Sequence, residues 1–189
     1  MKIANLKWIL RITLISLAAA AVFAFASSRV LENTGYLVSF IVLVAFVLIG
    51  IAFDIIAVAV TAAAANEAPF NSMATRRQPG ATIALRLLRN ANRVSSYCAD
   101  VIGDVTGIVS GTISALITAR LMEGMNSESL LFPIIIIAVV TALTVGGKAA
   151  GKVLAFRKST NIVIGVGRVL SFLRITPFSK QDKHDKAAK

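Results

Sequence analysis

The sequence predicts an all-α integral membrane protein: four transmembrane helices with amphipathic juxtamembrane helices beside them. Three observations predict it. The 189-residue chain is 57% hydrophobic and 15% charged, with a mean hydropathy of +0.79, well above a soluble domain of this length. Its apolar residues gather into four runs, each near the roughly 20 residues that span a bilayer core. Its basic residues cluster between those runs and at their ends. A transmembrane β-barrel needs short alternating segments, and the sequence has none.

The first apolar run, Trp8 to about Ala26, follows two lysines and holds Arg11. Ala24-Phe25-Ala26 before Ser27 looks like a signal-peptide cleavage site, but the run is long for such a leader, so a first transmembrane helix is expected. Residues 27 to 35 form a short polar link ending in Asn33-Thr34-Gly35. The second run, Tyr36 to about Ala65, is apolar except for Asp54. The polar stretch Glu67 to Asn92 contains Pro69, Pro79-Gly80 and four arginines. Within it, Ala81 to Leu88 places apolar residues at helical spacing opposite arginines, which suits a helix at a membrane surface.

The third run covers about Val94 to Leu121, and an acidic link, Met122 to Ser129, follows. The fourth starts at Leu130 and ends near Ala155, with Lys148 and Lys152 close to its end. Ser159 to Phe172 is amphipathic and reads as a second interfacial helix. The tail from 176 to 189 is charged, and disorder is expected there.

The net charge of +11 fits topology and anionic headgroups better than nucleic acid, because the charges flank membrane runs. The N-terminus, the second-to-third link and the C-terminus are basic, whereas the other two links hold only Arg29 and Arg120 at helix ends. Both termini and the basic link are therefore expected in the cytoplasm of a multi-pass cell-membrane protein. Cys98 is the only cysteine and His184 the only histidine. That excludes an intramolecular disulfide, a thiolate metal site and a histidine cluster, and no enzyme activity is expected.

Charges inside the runs are the functional candidates, because an intramembrane charge is costly. On a uniform α-helix Asp100 and Asp104 share one face, with Ser96 one turn earlier. Gly103, Gly107 and Gly111 repeat every fourth residue, a pattern that lets helices approach closely. Asp100 and Asp104 lie about 10–16 Å along the helix from Arg93 at 1.5 Å per residue. Asp54, Lys148 and Lys152 fall at comparable depth from the same expected side.

Two readings stand open. In one, Asp54, Asp100 and Asp104 surround a cavity that takes a hard cation such as magnesium, with Ser96, Thr106 and backbone carbonyls as further oxygen donors. In the other, Lys148 and Lys152 pair with the acids and lock three helices together, or Lys152 snorkels to the interface. Gly146-Gly147-Lys148-Ala149-Ala150-Gly151-Lys152 fits the start of a phosphate-binding loop. Val153 stands where that loop needs Ser or Thr, and no strand precedes it, so no nucleotide is expected.

From about Ile49 to Leu173 the order of parts resembles the transmembrane domain of the cyclin M / CorC family of magnesium transporters. The third membrane helix of that family ends in Gly-Glu-x-x-Pro-Lys-x-x-Ala. Gly147, Lys152 and Ala155 match that pattern, while Lys148 replaces the acid and Gly151 the proline. Arg93-Val94-Ser95-Ser96 resembles the Arg-Phe-Leu-Ser start of the family's second helix. Phe53-Asp54 stands where its first helix often opens with Phe-Ser.

The resemblance implies a three-helix membrane domain over residues 36–175, an extra first helix in residues 1–35, and a homodimer. It also implies a magnesium ion held between helices, with Ser96 as the matching ligand and Asp54, Asp100 and Asp104 nearby. The family's cytoplasmic nucleotide-sensing module is expected to be absent. The Glu-to-Lys exchange suggests that the Lys148 ammonium stands where a cation would sit. The alternative is a structural or interaction membrane protein whose Asp and Lys pairs only lock helices.

Overall fold

The computed structural model describes residues 3–32, 35–125 and 131–173. The charged tail and part of the acidic link lie outside these residues. The described residues form helices α1 (Ile3–Glu32), α2 (Tyr36–Ala64), α3 (Ala68–Thr75), α4 (Ala81–Arg89) and α5 (Ala91–Ser96), then a π-helical segment (Tyr97–Gly103). Helices α6 (Asp104–Met125), α7 (Leu131–Arg157) and α8 (Ser159–Phe172) follow, and none of the described residues is in a strand. Four stretches are long and apolar enough to cross a membrane: Ile9–Arg29, Tyr36–Ala64, Ala91–Glu123 and Pro133–Arg157.

The first helix is longer than its apolar run. It continues through Ser27 and Ser28 to Glu32, where the sequence suggests a polar link. Both serine hydroxyls donate back to the carbonyl of Ala24, at 3.0 and 2.9 Å. A hydroxyl satisfied on the preceding turn does not pull the backbone out of the helix.

The chain forms two compact units, one of residues 1–54 and 97–151, the other of residues 55–96 and 152–189. In the first, α1 packs against α6 and the π-helical segment. Leu43, Val105, Val109 and Ile113 form its buried centre, with Ala19 and Ala20 of α1 and Phe46 of α2 packed around them. Phe23 and Phe46 meet edge to face, with ring centroids 5.9 Å apart. Thr106, Ser110, Ser114 and Thr118 recur every fourth residue along α6, and all four are buried. Three of them donate to carbonyls of their own helix. Such small side chains let membrane helices approach closely.

In the second unit, α4 packs on α3 and α8. Phe70 of α3 is fully buried, as are Ala81 and Ala84 of α4 and Val163 of α8. Pro69 lies in the first turn of α3, where its missing N–H costs no helical bond. Ile83, Leu85, Leu87 and Leu88 of α4 are buried as well. Protein therefore covers the apolar residues of the helix expected to lie on a lipid surface. Helix α8 buries Val163, Ile164 and Gly167, and exposes Arg168 together with the apolar Val169 and Phe172.

Gly80 opens α4 with φ +86°, a left-handed backbone that suits glycine. Its carbonyl accepts from Ala84 N at 2.8 Å. A Cβ on Gly167 would come within 2.5 Å of that same carbonyl oxygen, so the two backbones touch without side chains between them. Gly165, two residues earlier on α8, has open space where its Cβ would stand. We expect Gly165→Ala to stabilise the chain by roughly 0.5–1 kcal/mol, the helix preference of alanine over glycine, read as a small rise in thermal midpoint.

Candidate functional site

The candidate charges of the first unit lie in different surroundings. Asp54 is buried, 7% exposed, and is engaged within the protein. Asp100 and Asp104 are both exposed. Lys148 is half-buried, and its Nζ donates to the carbonyl oxygen of Gly103 at 3.4 Å. Among the described residues no three His, Cys, Asp or Glu side chains converge where a metal ion could be held. Ser96 and Lys152 belong to the second unit, the former half-buried and the latter exposed.

The Gly103 carbonyl lies at the end of a local departure from α-helical geometry. Tyr97–Gly103 is π-helical, a rare form that recurs at functional sites. The one-residue expansion disturbs the regular bond ladder where the helix returns to α geometry. Thr106 fills part of the gap: its Oγ1 lies 2.7 Å from Ile102 O and 3.0 Å from Gly103 O. Gly103 is buried, and a Cβ there would stand 3.8 Å from Lys148 Nζ. A lysine from α7 thus donates to a backbone oxygen of the π-helical segment, the same kind of atom that a hard cation takes as a ligand.

The two acids of the third span follow from the same break. The sequence places Asp100 and Asp104 on one face of a uniform α-helix. In the structure Asp100 is in the π-helical segment and Asp104 is the first residue of α6. Cβ positions built on Gly107 and Gly111 meet nothing within 4 Å. This face of the third span is open, and the acids are on its outside instead of around an internal cavity.

A second feature of the first unit is apolar. A cavity of about 410 Å³ is lined by Phe23, Phe46, Phe53, Ile102 and Val105 among others, with Thr106 as its sole polar lining residue. Its lining suits hydrocarbon and offers a hydrated cation no set of oxygen ligands.

Sequence reasoning missed the π-helical segment and, apart from Thr106, the buried hydroxyls on α6. The hydroxyls were visible as a four-residue spacing, Thr106, Ser110, Ser114 and Thr118, beside the glycine repeat that drew attention first. The π-helical segment carries no comparable pattern in side-chain type. No known protein family, curated protein or solved structure matches this chain.

Proposed function

We propose that the chain is a multi-pass membrane protein built on a core like that of divalent-cation transporters, in which the Lys148 ammonium stands in the position of the cation. The observation that carries this reading is the contact of Lys148 Nζ with the Gly103 carbonyl at 3.4 Å. The acceptor lies at the end of the π-helical segment, and the donor stands where the resembling family has an acid. The chain as it stands is then a weak binder of magnesium or a non-transporting relative. A membrane with cytoplasmic termini is part of the same reading, supported by the basic flanks of the spans.

The test is Lys148→Glu. Titration of the purified protein with magnesium in a calorimeter is expected to show binding in the variant at least tenfold tighter than in the parent. Equal binding in both would sink the reading. A second reading, in which the charges only fasten helices, is supported by the same contact, since Lys148 ties α7 to the π-helical segment. It predicts a variant that melts lower and gains no magnesium heat.

A second copy of the chain is also proposed. Carboxylates are poorly tolerated against lipid tails, and Asp100 and Asp104 are exposed beside open glycines within an apolar span. A partner helix bringing polar groups to that face would cover them, and the small residues would allow its close approach. Gly111→Leu is expected to shift the protein toward monomer in detergent, measured by mass photometry or light scattering. An unchanged mass distribution would remove this face from any self-association.

A further inference from the structure

The corner between α4 and α5 holds a polar hollow of the second unit. A cavity of about 430 Å³ is lined by the consecutive residues Leu88, Arg89, Asn90, Ala91, Asn92 and Arg93, within the roughly 300–1,000 Å³ of small-ligand pockets. The lining holds two guanidinium groups and two carboxamides, and no acid. Leu88 is buried, while Arg89, Asn92 and Arg93 are exposed.

The corner has a defined backbone. Asn90 Nδ2 donates to Arg86 O at 3.0 Å, closing the last turn of α4. The carbonyl of Asn90 accepts from both Arg93 N and Val94 N, each at 3.0 Å, and starts the next helix. Asn90 therefore fixes the two helix ends from which Arg89 and Arg93 extend. The bond to Arg86 O uses one of its two amide N–H donors, and Asn92 adds a second carboxamide beside the two arginines. Arg93 is also engaged within the protein, and a guanidinium has five N–H donors, enough to serve two partners.

Charge and position point to the ligand. The described residues of this unit carry nine arginines and lysines and a single acid, Glu67. The corner straddles the start of the apolar span Ala91–Glu123, the level at which the phosphates of a bilayer would lie. Two close cations repel each other until an anion sits between them. Arginine forks match the oxygens of a phosphate two at a time.

We propose that this corner binds a phosphate ester between Arg89, Asn92 and Arg93, as the headgroup of an anionic phospholipid or as a soluble phosphate. A diffuse basic flank would need the charges but neither the cavity nor the forks, so arginine-to-lysine exchange separates the two ideas. The proposal does not depend on what the first unit binds.

The experiment uses the full chain in detergent and native mass spectrometry with added phosphatidylglycerol or phosphatidylcholine. Separate calorimetry with inorganic phosphate tests the soluble source. For a lipid source, phosphatidylglycerol is expected to be retained at least tenfold over phosphatidylcholine. For a soluble source, inorganic phosphate binds while the two lipids are retained alike. In either case R89Q/R93Q abolishes the binding and R89K/R93K lowers it severalfold, and the single variant R89Q, at an exposed arginine, weakens it with a thermal midpoint close to the parent. If neither probe binds above the R89Q/R93Q background, or if R89K/R93K binds as the parent does, the proposal is overturned.

Discussion

Gly167→Val is expected to destabilise the second unit by about 3 kcal/mol or more. Overpacking typically costs about 1–3 kcal/mol where neighbours can yield, and here the neighbours are backbone. A Cβ at Gly167 would lie 2.5 Å from Gly80 O and 3.2 Å from Ala84 N, and neither atom can turn aside without moving α4. Gly80→Ala meets the same contact from the other side: its Cβ would lie 2.5 Å from Arg168 N. That variant must also hold φ +86°, which adds roughly 1–2 kcal/mol for an L side chain.

Thermal unfolding of the full chain in detergent reads both. A loss of roughly 10 °C is the expected order for Gly167→Val, taking 1 kcal/mol as about 2–4 °C at this chain length. The double variant is expected to cost less than the sum of the singles, because both enlarge one contact. A Gly167→Val protein that melts with the parent would mean that α4 and α8 do not touch at this point.

The reasons this contact was not legible in the sequence are general. Gly80 announced itself: Pro79-Gly80 is a turn signal, and a helix with apolar residues at helical spacing follows it. Gly167 did not, since Gly165 and Gly167 lie together in one amphipathic helix and only tertiary packing distinguishes them. The four long apolar helices and the two shorter helices, α4 and α8, were readable because composition and period write them directly into the chain. Their surroundings were less readable. The apolar residues of α4 are covered by protein, yet a lipid surface would select the same residue types.

The charges show the same division. Asp54, Asp100, Asp104 and Lys148 were found because a charge in an apolar run stands out. Their partners were inferred from depth along ideal α-helices, a coordinate that fixes height better than direction. The π-helical segment alters direction in the first half of the third span. Lys148 meets a carbonyl oxygen, and backbone acceptors are the same at every residue, so side-chain type cannot point to one. Only the broken helix makes the carbonyl of Gly103 different from its neighbours.

That carbonyl also ties the close approach of α2 and α6 to the lysine contact, and Gly50→Ala is the variant that tests the tie. A Cβ on Gly50 would lie 2.6 Å from Thr106 Oγ1. Thr106 has little room to yield: it is β-branched and stiff at χ1, and its hydroxyl lies within hydrogen-bond distance of Ile102 O and Gly103 O. Displacing it disturbs the acceptor that Lys148 shares, so Gly50→Ala is expected to cost about 2–3 kcal/mol, the upper part of the overpacking range.

Gly147→Ala makes a useful contrast. Its Cβ would meet Ile51 Cδ1 at 2.5 Å, but that atom ends a flexible side chain and can swing away, so the cost is expected to be smaller. In the Thr106→Ala background the obstructing oxygen is gone, and the next atom of residue 106 lies at 3.5 Å, an ordinary contact. Gly50→Ala should then be nearly harmless, and a double-mutant cycle should return a coupling of at least about 1 kcal/mol. If instead the two substitutions add independently in thermal unfolding, Gly50 and Thr106 do not meet, and the link from α2 through Thr106 to the Lys148 acceptor is lost. With coupling present, the magnesium affinity of the Lys148→Glu variant should also fall when Gly50→Ala is added, because the same displaced hydroxyl borders the oxygen that the ion would use.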